Sequence, residues 1–241
     1  VNNILPDDII LENGKKVHYV NKFKYLGSFI TPLLNEDYEI DMRIKKSKSI
    51  MGAAKHFFNN KDVDTRIKAQ IYVAAPLNAL LWGCETWNLT RHNLNKLMTF
   101  HHSAIRRILG IRWDQVREKH IKNREVRGML CNIPNVDAYI IKRTATYIGK
   151  IARTNDNFYP KKFLAAWIVG KKKSGAPQFT CNNNFVNSIQ KILPPMNKQG
   201  LLREWIPIAR NEINWKQHIE DYFEYCKNTD YQVENDDEDE T

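Results

Sequence analysis

The sequence predicts a mainly α-helical protein, in which a small N-terminal β-element is followed by a helical bundle and then by a second, smaller helical region. Two observations lead to this fold class. The hydrophobic spacing changes from about two to about three and a half residues near Glu36, and Gly and Pro residues then divide the rest of the chain into helix-length segments. The 241 residues are 42% hydrophobic, so the chain can form a substantial core.

Residues 1–33 form the predicted β-element. Apolar and β-branched residues at 9–11 and 17–20 flank the dipeptide Asn13-Gly14, which favours a tight hairpin turn because both residues tolerate positive φ. A third extended run follows at 23–31. Because a sheet of about three strands is too small to be stable alone, we expect this element to pack against another part of the protein.

A helical bundle is predicted at 34–169, and its first helix begins near Glu36. One face repeats at spacings of four and three with Ile40, Ile44, Ser47, Met51, Ala54 and Phe58. In a helical projection, positive charge borders this stripe on both sides, with Lys45, Lys48 and Lys55 on one flank and Arg43 and Lys46 on the other. The buried face of the first helix is therefore predicted to be edged by cations.

Two longer helices come next. One is expected at 64–82, buried on nearly all sides and kinked or split at Pro76, which cannot donate an intrahelical hydrogen bond. The other begins at a Thr90 cap and ends at Gly110 in a left-handed conformation. Its apolar stripe includes His101 but not His102, so we expect His101 in the core and His102 at the surface.

The last helix of the bundle has a clear start signal. Asn135 follows Pro134 and can cap a helix whose polar face carries Lys142 and Arg153. Pro160 fits the first turn of another short helix.

The remainder of the chain changes in composition three times. Glycines and consecutive lysines at 170–184 indicate a basic linker. Short helices at 185–229 are expected to share an aromatic core of Trp205, Trp215, Tyr222 and Phe223. The acidic tail at 230–241 is expected to be disordered.

The charge distribution suggests a polyanionic partner. The net charge is +10, but seven acidic residues fall in the tail; without them, 37 Lys and Arg stand against 20 Asp and Glu, and 1–229 carries +17. Nucleic acid is the usual partner of so basic a protein, although an ordinary solvated surface explains the charge equally well. We expect a soluble protein because no apolar run is long enough to span a membrane, and an intracellular one because the cysteines are widely spaced. The first residue is Val1 and not an initiator Met, so we expect a fragment.

Side chains that could carry catalysis are not grouped in the sequence. Asp7-Asp8 is the one adjacent aspartate pair before the tail, but it follows Pro6 and no acidic residue precedes it, so we expect a turn or strand start. Cys84 lacks a recognisable His and Asx pattern and is expected to be a packed thiol. No phosphate-binding glycine motif is present. We therefore expect no metal site and no self-sufficient active site.

Four segments, in order along 22–153, resemble motifs of non-LTR retrotransposon reverse transcriptases. Residues 23–28 are FKYLGS, similar to the YLG segment after the palm, where the primer grip holds the 3′ end of the growing strand. Residues 81–87 are LWGCETW and resemble the YGxExW signature, and residues 106–113 are RRILGIRW and resemble LRxILGIxW. Residues 147–153 are YIGKIAR, where many members have WxGHVxRM, and Lys150 occupies the usual histidine position.

This resemblance implies that the chain is the C-terminal third of such a polymerase. Residues 1–33 would be the end of the palm with the primer grip, and 34–169 would be the thumb. The implied partners are an RNA/DNA hybrid or duplex and the upstream palm and fingers, and nuclear localisation follows from the resemblance alone. No cofactor is expected in this chain, since the Asp-Asp motif that binds Mg²⁺ in the complete polymerase is absent upstream. The chain alone is expected to be inactive.

A thumb holds a duplex through its phosphates, which Lys and Arg neutralise. The nucleic-acid contacts expected on this basis are Lys22, Lys24, Tyr25, Leu26, Gly27, Arg43, Lys45, Lys46, Lys48, Lys55, Lys142 and Arg153. Two other functions stay open. The chain could be a stand-alone basic helical module that binds nucleic acid, or a protein-interaction domain whose acidic tail binds a basic partner.

Overall fold

The computed structural model describes residues 8–32, 35–165, 181–194 and 204–229. The predicted acidic tail at 230–241 lies outside these residues, as do Asp7 and 170–180 of the predicted linker. The end of the predicted linker is helical, because a helix begins at Cys181. The mainly α-helical class is confirmed, with the β-structure confined to the first part of the chain.

The N-terminal element consists of two antiparallel hairpins instead of the expected three strands. Its strands are β1 (Ile9–Ile10), β2 (Lys16–Val17), β3 (Phe23–Tyr25) and β4 (Ser28–Ile30). β1 pairs with β2 and β3 pairs with β4, as two separate sheets. The run at 23–31 is therefore not one strand, because the chain reverses at Leu26 and Gly27, which both have positive φ, at 47° and 91°.

Helices form the rest of the described chain. Their bounds are α1 (Asp37–Ala53), α2 (Lys55–Asn59), α3 (Thr65–Tyr72), α4 (Asn78–Leu80), α5 (Arg91–Leu109), α6 (Trp113–Glu118), α7 (Asn123–Met129), α8 (Val136–Arg153), α9 (Tyr159–Ala165), α10 (Cys181–Ile192), α11 (Trp205–Arg210) and α12 (Glu212–Asn228). A π-helical turn (Val73–Leu77) joins α3 to α4, and a 3₁₀ turn (Cys84–Thr86) follows α4. The predicted caps of α5 are present, since Thr90 accepts from the Asn93 N–H and Gly110 is left-handed.

The predicted stripe of the first helix faces the core, with Ile44 and Ala54 partly buried and its other members buried, although the helix divides at Ala54 into α1 and α2. Ser47 is the polar member of the stripe, and its hydroxyl donates to the Pro76 carbonyl at 2.8 Å. Pro76 lies within the π-helical turn and splits the helix predicted at 64–82, so the predicted kink is confirmed. The expectation that this helix is buried on nearly all sides is wrong, because Ile67 and Ile71 are exposed on its outer face.

Helix α8 lies between two hydrophobic cores. Its Val136 and Ile140 belong to the core that α1, α3, α4, α5 and α7 share. Another set of α8 side chains, including Ile141 and Ile148, packs against α10, α11 and α12. The predicted aromatic cluster of the last region is buried in this second core, with Trp205 and Trp215 almost completely covered. The last region is therefore attached to the bundle through α8.

The histidine pair of α5 is entirely buried, so the expectation of a surface position for His102 is wrong. His101 lies between the Tyr72 hydroxyl at 2.8 Å and the Pro134 carbonyl at 3.1 Å. A neutral ring satisfies both if Nε2–H donates to the carbonyl and Nδ1 accepts from the hydroxyl. Nε2 of His102 accepts from the Arg127 guanidinium at 3.1 Å, which also requires a neutral ring. Adjacent helix positions are both buried because α7 packs on a second side of α5, where its Arg127 contacts His102.

Stability should depend on pH through these two histidines. Burial above all lowers the pKa of His101 to about 3 and that of His102 to about 4, whereas an unfolded histidine titrates near about 6.5. Because the unfolded chain binds more protons, this stabilisation is complete above about pH 6.5 and is lost as the pH falls through about 4. We expect urea titrations to show that the free energy of unfolding falls by up to about 1.4 kcal/mol per pH unit for each histidine between pH 6 and 5.

The variant His102→Asn supplies the control, because an amide oxygen can accept from Arg127 without titrating. For this variant, the number of protons taken up on unfolding should be smaller by roughly one over the same interval, so the free energy of unfolding should depend less steeply on pH. A pH dependence equal to that of the parent chain would contradict a buried, neutral His102.

Gly149 permits the close approach of α12 to α8. The Trp215 indole N–H donates to the Ala145 carbonyl at 2.9 Å, and a Cβ on Gly149 would overlap the indole ring. We therefore expect Gly149→Ala to lower the free energy of unfolding by roughly 1–3 kcal/mol, measured by urea titration. Gly52→Ala is the matched control: no atom lies within 4 Å of a Cβ there, so it should stabilise α1 by about 0.5–1 kcal/mol. Equal effects of the two changes would refute this packing.

Candidate nucleic-acid interface

A cleft of about 470 Å³ lies between the β3–β4 hairpin, α1 and the segment after α4. It is lined by Lys24, Gly27, Phe29, Met42, Arg43, Lys45, Lys46, Ser49 and Trp82. These residues include four cations and no carboxylate. Three regions that are distant in the sequence therefore meet at a surface with a positive rim and an aromatic wall, which is suited to a polyanion with apolar parts.

The hairpin is fixed to α1 by a buried ion pair. Arg43 Nε donates to Glu39 Oε1 at 2.6 Å, one helical turn away, and the two side chains are 6% and 2% exposed. Glu39 Oε2 accepts from the Phe29 N–H at 2.7 Å. Arg43 Nη2 donates to the Gly27 carbonyl at 2.7 Å and to Ser28 Oγ at 3.3 Å. Both charged groups thus bind to backbone or side chains of the hairpin as well as to each other.

This arrangement changes the role of Arg43. The sequence places it among the nucleic-acid contacts, but its guanidinium is buried and its hydrogen bonds are to the protein itself. It lies at the floor of the cleft and positions the hairpin that forms one wall. Periodicity alone could not predict this, because Arg43 falls on the flank of the stripe and is buried only once the hairpin packs over it.

The tip of the β3–β4 hairpin is exposed and conformationally unusual. Leu26 and Gly27 form a two-residue turn in which both φ angles are positive. Glycine tolerates this conformation, whereas for leucine it costs about 1–2 kcal/mol. Leu26 is also 81% exposed, and the neighbouring Tyr25 is exposed as well. An apolar residue is thus held at the tip of a hairpin in a conformation that stability alone does not favour.

The LWGCETW segment lies directly behind this hairpin. A Cβ on Gly27 would lie 3.6 Å from the Trp82 indole nitrogen, and one on left-handed Gly83 would lie 3.4 Å from Ser28 Oγ. Cys84 packs in the core, so the expectation of a packed thiol is confirmed. Burial, chiefly, raises the pKa of this thiol to about 12. Trp82 is exposed and lines the cleft. Two of the four motif segments therefore meet at this place.

The other predicted contact residues lie outside the lining of the cleft. Lys22 lies over the Tyr38 ring, with its Nζ 4.0 Å from the ring centroid. Lys48 and Lys55 are exposed farther along α1 and on α2. The structure thus groups Lys45 with Lys46 and Lys24, although a helical projection assigns Lys45 and Lys46 to opposite flanks of α1.

Lys142 and Arg153 lie on α8, away from the cleft. Lys142 pairs with Glu220 of α12 at 2.7 Å and lies over the Phe223 ring. Arg153 donates to the Ala209 carbonyl at 3.0 Å. Both side chains therefore help to attach the last region to α8, and their contact with nucleic acid stays a prediction.

Sequence reasoning missed Trp82 as a cleft residue. Its place in a motif with Gly83 was visible, but the helix pattern predicted burial at this point, and the exposure of Trp82 depends on how the chain leaves α4.

Among the described residues, no group of three or more His, Cys, Asp or Glu side chains is placed to hold a metal ion. Within the same residues, no helix is long and apolar enough to cross a bilayer.

Comparison with known proteins gives one similarity. The chain is 22% identical over 197 residues to an uncharacterized transposon-derived protein of Caenorhabditis elegans, and the alignment covers 81% of this chain and 69% of that protein. No protein-family model matches the chain, and no solved structure matches it. The similarity supports a transposon origin.

The structural role of Arg43 can be measured directly. Arg43→Ala would leave the Glu39 carboxylate buried without its charged partner, so the free energy of unfolding should fall by about 3–5 kcal/mol in urea titrations. Lys46→Ala removes an equal charge three residues further along α1 but from an exposed position, and should change stability by less than about 0.5 kcal/mol. Equal stabilities of the two variants would show that Arg43 does not hold the hairpin.

Proposed function

We propose that the chain is the C-terminal, primer-grip and thumb region of a non-LTR retrotransposon reverse transcriptase, and that it holds the primer and template through the cleft between the β3–β4 hairpin and α1. The transposon-derived relative and the four ordered motifs support the origin. The observation that carries the binding proposal is the cleft itself, whose lining includes three exposed lysines and no carboxylate. Lys24, Lys45 and Lys46 are the cleft lysines that would contact phosphates.

The cleft suits backbone contact better than base reading. Lysine ammonium groups attract phosphates as point charges and do not present the planar donor pairs that distinguish base edges. The exposed Leu26 and Tyr25 at the hairpin tip would lie against sugars at the end of a strand. Binding should therefore be largely independent of sequence, as a polymerase that copies any template requires.

The apolar surface of the N-terminal hairpins favours a polymerase fragment over a stand-alone module. Large apolar side chains are exposed along both hairpins, namely Ile9, Ile10, Leu11, Val17, Tyr19, Val20, Phe23 and Tyr25. So many exposed apolar side chains on short strands indicate that another element covers them. We propose that the upstream palm of the same polymerase packs here, and that the palm supplies the carboxylates that bind Mg²⁺. This chain alone should not extend a primer.

The experiment compares two triple variants on a fluorescently labelled RNA/DNA hybrid, with anisotropy measured over a series of salt concentrations. K24A/K45A/K46A removes the cleft lysines, and K61A/K150A/K216A removes three exposed lysines that lie outside the cleft and are not among the predicted contacts. The slope of log K against log[salt] should fall by about 0.9 for each phosphate contact that is lost. We expect a loss of about 2–3 in slope for the cleft variant and of less than about 1 for the control.

Both triple variants change the net charge by the same amount. If binding depended only on diffuse electrostatic attraction, both variants would therefore bind the hybrid more weakly by the same factor. That outcome would contradict docking in the cleft and would favour the stand-alone basic module. Salt-independent binding, or no binding to hybrid or duplex at low salt, would favour the protein-interaction domain instead.

A further inference from the structure

A second basic surface with an exposed aromatic ring lies where α5, α6 and α7 meet. Between Arg106 and Arg124 the chain has seven Lys and Arg against two acidic residues, Asp114 and Glu118. The exposed members of this basic set are Arg107, Arg112, Arg117, Lys119, Lys122 and Arg124. These residues lie outside the lining of the cleft between the hairpin and α1.

Trp113 is the centre of this surface. It is the first residue of α6 and is 59% exposed, unlike the core tryptophans Trp87, Trp205 and Trp215. The Arg106 guanidinium lies 4.4 Å from the centroid of its ring. A guanidinium covers one face of an indole, and the exposed fraction shows that much of the rest is open. The ring is therefore positioned but not packed.

Arg106 is itself fixed by the fold. Its residue is 7% exposed, and Nη1 donates to Asn123 Oδ1 at 3.0 Å, which links the end of α5 to the start of α7. This burial lowers the pKa of the guanidinium. A buried arginine that contacts Trp113 and Asn123 together holds the ring in one place, with Lys122 and Arg124 on either side of Asn123.

Three of the surrounding cations are available for a partner. Arg112 pairs with Asp114 at 3.0 Å, and both side chains are exposed. Arg117 follows Trp113 by one helical turn, so it lies on the same side of α6. Within the described part of the chain, Arg117, Lys119 and Lys122 are exposed and have no carboxylate within ion-pair distance.

We propose that this surface binds single-stranded nucleic acid, with an unpaired base stacked on Trp113 and the adjoining phosphates contacted by Arg117, Lys119 and Lys122. An open aromatic ring surrounded by cations is the combination that binds single strands without sequence preference. A duplex does not fit this ring, because its bases are already stacked on one another. The proposal is independent of the function of the cleft.

The test uses the complete chain and two labelled probes, a 12-nucleotide oligo(dT) strand and an RNA/DNA hybrid, followed by fluorescence anisotropy. Trp113→Ala should weaken oligo(dT) binding about five- to hundredfold and should leave the melting temperature nearly unchanged, since the ring is largely exposed. Trp113→Phe keeps an aromatic face and should restore most of the affinity. Hybrid binding should change less than twofold in either variant.

The cleft variant K24A/K45A/K46A is the matched control and should show the reverse pattern, with hybrid binding weakened and oligo(dT) binding nearly retained. If the cleft proposal is wrong, the hybrid binding of K24A/K45A/K46A will differ from this expectation, but the results for the Trp113 variants will not change. The two proposals are therefore tested separately. Oligo(dT) binding that is equal in Trp113→Ala and the parent chain would overturn the single-strand site. A competition experiment gives the other outcome that would overturn the single-strand site. In that outcome, poly-glutamate at equal charge concentration displaces oligo(dT), and Trp113→Ala and Trp113→Phe behave alike. This result would indicate an acidic protein partner.

Discussion

Glu39 and Arg43 form a buried ion pair that connects the β3–β4 hairpin to α1, and the cleft exists because of this connection. Removing two charges from water is costly, and a buried pair of this kind is often no more stabilising than apolar side chains of similar size. Its contribution is directional: the carboxylate accepts from the Phe29 backbone, and the guanidinium donates to the Gly27 carbonyl. These bonds fix the hairpin tip against one place on α1, which a purely apolar contact would not do.

A second constraint comes from α8, which is packed on two sides. One side completes the core beneath α1 and α5, and the other holds α10, α11 and α12. A helix that is shared between two cores cannot shift without disturbing both, since protein interiors are closely packed. Arg143 of α8 also donates to the Leu81 carbonyl at 3.0 Å, at the segment that leads to Trp82. The last region of the chain is therefore mechanically connected to the wall of the cleft.

Local patterns predicted the helices well, whereas burial that depends on long-range packing was not predictable. The stripe of α1, the Thr90 cap, the left-handed Gly110 and the break at Pro76 are all short-range properties of the backbone. His102 was misjudged because its burial results from α7 packing on a second side of α5. The hairpin within 23–31 was missed because Leu26 is an unfavourable residue for its turn. Trp82 and Trp113 each lie in a motif segment, but only the fold shows that one lines a cleft and that the other contacts Arg106.

The central claim is that primer and template lie in the cleft between the hairpin and α1. The most direct measurement is photocrosslinking of the complete chain to an RNA/DNA hybrid carrying 4-thiothymidine at the primer 3′ end, with the modified peptides identified by mass spectrometry. The account predicts crosslinks within 22–30, 42–49 and the peptide that contains Trp82. Crosslinks distributed over the basic surface, or concentrated on α8 and the helices beyond it, would contradict the account.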